Sequence, residues 1–352
     1  MRTLCYSEAL REATEICMED DERVYVMGLG ATDPKAIFGT TKGLEARFGA
    51  RRVMDMPVAE NTMSGVAVGS ALVGMRPIMI HQRIDFALLA IDQLVNNAAK
   101  WYFMFAGQRS VPMVVRLLIG RGWGQGPQHS QSLQALFAHF PGLKVVMPAT
   151  PYDAKGMLIS AVEDPNPVMF IEHRWLHPTF GPVPEGRYRV PLDAASVARH
   201  GRDVSLVATS LARLEALQAA EALLLHGIDA EVIDVRTIKP LDTSTILASV
   251  AKTGALVAID HGWRFLGFAG ELVATVAERI FSDLRFAPRR ITAPDTYVAS
   301  SPVLADLSYP STIDIVNTVL NMFGRPTISE HDAGLTVPKR RDIPNPSFRG
   351  PF

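Results

Sequence analysis

Two cysteines, Cys5 and Cys17, are all that the 352 residues contain. That is too few for a disulfide framework, so a reducing, cytoplasmic compartment is expected. An excess of charge of one sign is also missing. Thirty-five Lys and Arg stand against 36 Asp and Glu, a net charge of -1, which gives no electrostatic reason for a nucleic-acid or acidic-membrane partner. There is no long apolar run. The most lipid-like stretch, 63–75, is too short and too rich in Gly and Ser to span a bilayer. The first residues carry acidic side chains where a secretory signal has its apolar core, which argues against secretion. Two nucleotide signatures are absent as well. Gly28-Leu29-Gly30 follows a strand pattern, but position 33, where a dinucleotide fingerprint needs a third glycine, is Asp33, followed by Pro34. No GxxxxGK[ST] loop occurs.

The chain is long enough for one or two domains with a sizeable core. With 48% hydrophobic and 20% charged residues and a mean hydropathy of +0.13, it hints at extra surface buried between subunits. Short apolar strands alternate with helical patterns in the first half, which argues for a parallel sheet covered by helices. Strands are expected at 23–27, 77–80, 111–118, 143–147 and 168–171. Helices are expected at 7–18, 62–73, 86–105, 132–139 and 152–162, the last with Thr150 as N-cap and Pro151 at its first position. Pro178, Gly181, Pro182, Pro184, Gly186 and Pro191 mark a linker. A second β/α series follows: strands 204–208, 230–235 and 256–260, and helices 211–225 and from Asp242 to about 252. The Pro-rich basic end beyond 325 is expected to be extended or disordered.

Three features bear on chemistry. Glu60, in Met56-Pro57-Val58-Ala59-Glu60-Asn61, opens a helix of Gly, Ala and Val. A carboxylate there is either a simple cap favoured by the helix dipole or a functional acid. The loop Gly120-Arg121-Gly122-Trp123-Gly124-Gln125-Gly126-Pro127-Gln128-His129-Ser130 lies between a strand and a helix, where open α/β sheets carry ligand loops. His129 in it is either a proton-transfer group or part of a flexible connector. His173 and His177 have zinc-like spacing, but Pro178 follows at a strand end, so zinc is not expected. His139 reads as a helix-closing residue.

Taken in order, these pieces resemble one family. They run from Met56–Asn61 through Asp85-Phe86-Ala87, Ile91-Asp92-Gln93 and Asn97-Ala98-Ala99-Lys100 to Gln128-His129-Ser130-Gln131-Ser132. Pro141–Val146, Pro148–Gly156, Asn166-Pro167-Val168 and Asp234–Asp242 complete the set. The sequence resembles, over residues 1–325, the β subunit of the thiamine-diphosphate-dependent first component of 2-oxo acid dehydrogenase complexes, the pyruvate, branched-chain and acetoin group. The resemblance implies an α/β chain of two domains. The first, at 1–174, is a transketolase-like pyrimidine-binding domain, a parallel sheet with helices on both faces. A linker at 175–198, a transketolase C-terminal domain at 199–325 and a tail at 326–352 follow. It also implies an α2β2 heterotetramer whose α chain binds the diphosphate through Mg²⁺ with a Gly-Asp-Gly motif. No such triplet occurs here, so this chain alone is expected to be inactive. A lipoyl-bearing acyltransferase or carrier protein would take the acyl group from a small 2-oxo acid.

Carried over residue by residue, Glu60 matches the glutamate that hydrogen-bonds the cofactor's aminopyrimidine. A carboxylate at that ring nitrogen favours the imino tautomer, whose exocyclic nitrogen removes the thiazolium proton. Phe86 matches an aromatic packed on the ring, Val58 an apolar neighbour, and His129 the histidine that meets substrate and the lipoyl group. Met113, Ala161, Val162, Asp164 and Asn166 match a segment that holds K⁺ in some members. Departures bear on the substrate. Ile80-His81-Gln82-Arg83-Ile84 replaces a mostly apolar run, so Gln82 stands at a cofactor-ring position, and His81 and Arg83 become candidates for recognising an anionic or polyhydroxylated donor. The alternative chemistry is two-carbon transfer of transketolase type from a sugar phosphate or acyloin donor.

Overall fold

A computed structural model describes residues 2–122, 124–335 and 340–343. The chain divides into two compact units. The described residues of Met1–Gly120 and Leu136–Leu192 form the first, and those of Arg121–Ala135 and Asp193–Asn345 the second.

In chain order the first part carries β1 (Arg2–Cys5), α1 (Tyr6–Asp20), β2 (Val24–Gly28), α2 (Leu44–Phe48), β3 (Val53–Met54), α3 (Glu60–Leu72) and β4 (Arg76–His81). It continues with α4 (Ala99–Met104), β5 (Val114–Ile119), α5 (Gln134–His139), β6 (Lys144–Val146), α6 (Pro151–Glu163), β7 (Val168–His173) and β8 (Phe180–Val183). Strands β6-β7-β5-β4-β2-β3 lie side by side in that order, every pair parallel. Val-Tyr-Val-Met-Gly in β2 and Val-Val-Arg-Leu-Leu-Ile in β5 are buried at every position. Such runs form because a parallel sheet covered on both faces leaves no position for a solvated side chain. Each fully buried Val, Leu or Ile contributes about 1.5–3 kcal/mol.

α3 buries Ser64, Ala67, Val68 and Ala71. Their i, i+3, i+4, i+7 spacing is the inward stripe of a helix, and small side chains bring it close to the sheet. The expected helix 152–162 is α6, with Pro151 first and Thr150 Oγ1 accepting from Asp153 N at 3.0 Å.

Two expectations give way here. The single helix expected over 86–105 is three pieces: a 3-10 segment Ile84–Ala90, a π segment Gln93–Ala98 and the short α4. Ala99 N bonds back to Leu94 O, a wider turn that a 3.6-residue apolar pattern does not reveal. The expected linker 175–198 is also partly structured. β8 pairs antiparallel with β1, Arg2 opposite Val183, and residues through Leu192 stay with the first unit.

The second unit carries β9 (Ser196–Arg199), β10 (Val204–Ala208), α7 (Leu211–Leu225), β11 (Ala230–Asp234), β12 (Thr237–Lys239), α8 (Thr243–Thr253) and β13 (Leu256–Trp263). α9 (Phe268–Ile280), β14 (Arg289–Ala293), α10 (Pro302–Ala305) and α11 (Thr312–Met322) complete it. Its sheet runs β14-β13-β10-β11-β9, parallel except for the antiparallel edge strand β9. Alanines of α7 and the Ile, Val and Leu of α11 close its core against β10 and β11. The start of the tail is not free. Ile328 exchanges both backbone hydrogen bonds with the Asn317 side chain, and Ala333 is buried. The rest of the expected tail falls partly outside the described residues, although Arg341 Nη1 reaches Asp314 at 2.7 Å.

Candidate active site

The C-terminal ends of parallel strands are where open α/β sheets bind ligands, and the expected residues of the first unit collect there. The loop after β3 carries Asp55, whose Oδ1 accepts from the amides of Gly30 and Met56, both at 2.8 Å. That carboxylate fixes the turn leading to Val58 and Glu60. Val58 is exposed on this loop. Glu60 is the first residue of α3 and only 5% exposed, and among the described residues its carboxylate has no hydrogen-bond partner. A buried carboxylate usually has its oxygens satisfied. Glu60 therefore offers, at the start of α3, an acceptor that a hydrogen-bonding group from outside this unit could meet. The aminopyrimidine of thiamine diphosphate fits that need.

After β4, Gln82 does not point away from the protein as a bare ring contact would. Its Nε2 donates to Leu29 O at 2.7 Å, closing the β2 loop onto β4. Gly30 lies beneath it at φ +75°, a backbone conformation that favours glycine. His81, expected beside substrate, is a core residue: 2% exposed, with Nε2 making no hydrogen bond, and burial depresses its pKa to about 4. It stays neutral at pH 7. Phe86 is half-buried in the 3-10 segment that packs on α3.

Arg83 is 5% exposed, and its guanidinium lies 5.5 Å from the Phe38 ring centre. Arg174, just past β7, approaches the same ring at 4.3 Å. Burial lowers both, Arg83 to about 10 and Arg174 to about 9; Asp85 partly restores Arg83, whereas Arg83 further disfavours the charge on Arg174. Both remain cations at neutral pH. Phe38 ends a run of three non-glycine residues with positive φ, Ala36, Ile37 and Phe38. Such a backbone persists only where its surroundings hold it, and it concentrates at functional loops. No local pattern in the sequence announces either Phe38 or Arg174.

Beneath them lies a fully buried group. Arg116 Nη2 donates to Glu172 at 2.9 Å, and Glu172 also meets His177 Nε2 at 3.2 Å. Burial alone would raise the Glu172 carboxyl, but Arg116 beside it holds it below the ordinary range. His173 and His177 do not form a zinc pair: His173 Nδ1 accepts from Trp175 N at 3.1 Å, and His177 stacks on Tyr6 at 5.8 Å.

At the residues expected to hold K⁺, protein donors meet several of the oxygens. Arg76 Nη1 donates to Val162 O at 2.6 Å and Asp164 O at 3.3 Å. Lys144 pairs with the Asp164 carboxylate, and Met113 O accepts from Val168 N at 3.0 Å. The backbone N–H of Asn166 donates to Asp164 Oδ1 at 2.9 Å. A guanidinium and an ammonium therefore lie among these oxygens.

His129 belongs to the second unit, half-buried on a loop whose Gly122, Gly124 and Gly126 have positive φ. Trp123 lies outside the described residues. Arg121, which opens the loop, donates to Glu215 at 2.9 Å, and Gln134, at its close, donates to Asp260 at 2.7 Å. Among the described residues no group of three His, Cys, Asp or Glu side chains could hold a metal, and no helix is long and apolar enough to cross a membrane.

Comparison with known proteins gives the family of both parts of the chain. Residues 2–179 match the family described as transketolase, pyrimidine binding domain, and residues 193–315 match transketolase, C-terminal domain. The chain is 42% identical to the acetoin:2,6-dichlorophenolindophenol oxidoreductase subunit beta of Cupriavidus necator, over 89% of this chain and 96% of that protein. It is 39% identical to the pyruvate dehydrogenase E1 component subunit beta of Rhizobium meliloti, over 91% of this chain and 70% of the relative. With the 2-oxoisovalerate dehydrogenase subunit beta of Bacillus subtilis it shares 40% identity over 84% and 90%. A solved split-gene transketolase, an inactive beta4 tetramer, shares the fold with a TM-score of 0.71 at 22% identity, covering 91% of this chain and 98% of its own. The chain belongs to the transketolase-like family that includes the beta subunits of acetoin, pyruvate and branched-chain 2-oxo acid dehydrogenases.

Proposed function

We propose that this chain is the β subunit of a thiamine-diphosphate-dependent 2-oxo acid dehydrogenase, decarboxylating a small 2-oxo acid and passing the acyl group to a lipoyl-bearing carrier. The observation that carries the reading is Glu60, a buried carboxylate with no partner among the described residues, at the first position of α3. When bound, the cofactor supplies the carbanion chemistry, which no side chain can. Glu60 would hold a proton at the pyrimidine ring nitrogen, and Phe86 and Val58 would offer the ring apolar surface. Gln82 braces the β2 loop at the same edge. His129 would serve the acyl-transfer half of the reaction as a proton donor or acceptor near neutral pH.

An α subunit is part of this reading, since it would bring the diphosphate and Mg²⁺ site. Support comes from the surface. Phe103 is 89% exposed and Met104 61%, with Tyr102 and Phe105 beside them. Monomeric proteins rarely leave such a cluster in water.

One observation favours a second reading. Arg83 and Arg174 bracket Phe38 at the strand ends, which suits an anionic donor such as a ketose phosphate and two-carbon transfer of transketolase type.

Reconstitution tests both. The chain is purified alone and co-expressed with the α subunit of a related acetoin or pyruvate dehydrogenase, then given thiamine diphosphate, Mg²⁺ and panels of 2-oxo acids and ketose phosphates. Turnover of 2-oxo acids only in the complex supports the proposal. Turnover by the lone chain removes the subunit assignment, and turnover confined to ketose phosphates favours the second reading.

A further inference from the structure

The loop that carries His129 is glycine-rich, and glycine loses more conformational freedom than any other residue when ordered. Something must hold it. Two buried carboxylates of the second unit do so, one at each end.

At the opening end, Arg121 Nη2 donates to Glu215 Oε1 at 2.9 Å, its Nη1 donates to Pro310 O at 3.3 Å, and its guanidinium lies 4.9 Å from the Tyr309 ring centre. Arg121 and Glu215 are 6% and 8% exposed. At the closing end, Gln134 Nε2 donates to Asp260 Oδ1 at 2.7 Å, and the same oxygen accepts from Thr209 Oγ1 at 3.0 Å. Gln134 and Asp260 are 1% and 0% exposed. One strand joins the two ends: His261 follows Asp260 on β13, and its Nε2 lies 2.7 Å from Glu215 Oε2. Gly262 comes next, and a Cβ there would sit 2.8 Å from Asp260 Oδ2 and 3.0 Å from Gln134 Nε2. Within the loop, Gly126 rests so near Ser300 that a Cβ would lie 2.5 Å from its hydroxyl oxygen.

We propose that Glu215 and Asp260 are positioning residues for His129, clamping the two ends of its loop onto α7 and β13. The inference rests on the proposed role of His129, although the clamp itself does not. Neither carboxylate touches substrate or cofactor in this account; each acts through the backbone of the loop. The Arg121–Glu215 link is charge-assisted, and buried hydrogen bonds of that kind are directional and stronger than neutral ones; Asp260 adds two directional bonds from neutral donors. They therefore fix a position, where apolar packing would only fix a volume. A misplacement of about 1 Å can cost on the order of 10²-fold in rate.

The test compares Glu215→Gln and Asp260→Asn with Glu231→Gln as control. Glu231 is equally buried in the same unit but pairs with Lys252, remote in sequence from the loop. Three quantities are read: amide hydrogen exchange over residues 124–131 in the full chain, kcat against KM in the α-containing complex, and the coupling of each change with His129→Gln. The clamp predicts exchange at 124–131 at least about 10-fold faster in both variants, since loop protection follows its local opening. It predicts kcat lower by roughly 10–100-fold with KM unchanged, and little further loss when His129→Gln is added, as for groups that act as a unit. Glu231→Gln changes none of these. Should Glu215→Gln fail to fold, Gln134→Ala releases the other end and asks the same question. Wild-type exchange over 124–131 in the variants, or an equal fall of kcat in Glu231→Gln, overturns the proposal. If the complex turns over no 2-oxo acid, the functional reading fails while the exchange result still decides whether the clamp exists.

Discussion

Arg116 and Glu172 lie on adjacent parallel strands, neither with any exposed side-chain surface, joined at 2.9 Å between Nη2 and Oε2. Placing a charge pair in the middle of a sheet is costly unless both partners remain. Arg116→Leu leaves Glu172 buried with only a neutral histidine, and should cost about 3–5 kcal/mol. Arg116→Leu combined with Glu172→Leu should recover much of that loss. Urea denaturation of the three proteins checks it; equal stability of the single variant and wild type would contradict it.

His81 makes stability fall in acid. Its folded pKa of about 4 lies below the ordinary 6.5 because burial disfavours the charged ring. The unfolded chain therefore takes up a proton at higher pH than the folded one does. Stability contributed by keeping His81 neutral is intact above about pH 6.5 and is lost progressively as pH falls toward 4. The full loss is about 3 kcal/mol, at 1.36 kcal/mol per pKa unit. His81→Leu should flatten this part of the stability–pH curve, measured by chemical denaturation from pH 7.5 to 4.5.

Gly142→Ala should destabilise the first unit by about 2 kcal/mol or more. Gly142 has φ +93°, and a Cβ there would lie 2.0 Å from the carbonyl oxygen of Ala99. Backbone cannot yield as a side chain end can. A melting temperature within a degree of wild type would show that the turn reshapes.

Potassium should not stabilise the protein. Melting in KCl and in NaCl at equal ionic strength should agree, whereas a specific site filled at 100 times its Kd would add about 2.7 kcal/mol. The reason is Arg76, already bonded to the carbonyls of Val162 and Asp164.

Much of the fold could be read from the residues. The parallel strands announce themselves as uninterrupted apolar runs, and Thr150-Pro151 marks the start of α6. What failed had a physical cause. The π turn at 93–98 depends on i→i−5 bonding, which leaves no distinct apolar period. β8 exists because β1 pairs with it across most of the first unit, a contact no local signal encodes. At the proposed site, Glu60 and His129 stand out in the sequence because their neighbours form ordered motifs. Phe38, Arg174, Glu215 and Asp260 do not, since their contacts come from residues far away in sequence. His81 and Gln82 were noticed for being polar in an apolar position. The structure then buries the first and ties the second to Leu29.

The central claim is that Glu60 activates the cofactor, and hydrogen–deuterium exchange at the thiazolium carbon measures it most directly. In the α-containing complex with thiamine diphosphate and Mg²⁺, wild type should exchange quickly. Glu60→Gln should slow exchange by about 10²–10⁴-fold, the usual cost of losing a positioned proton-transfer group, with the fold intact. Exchange in Glu60→Gln at the wild-type rate would contradict the account and leave Glu60 as a helix cap.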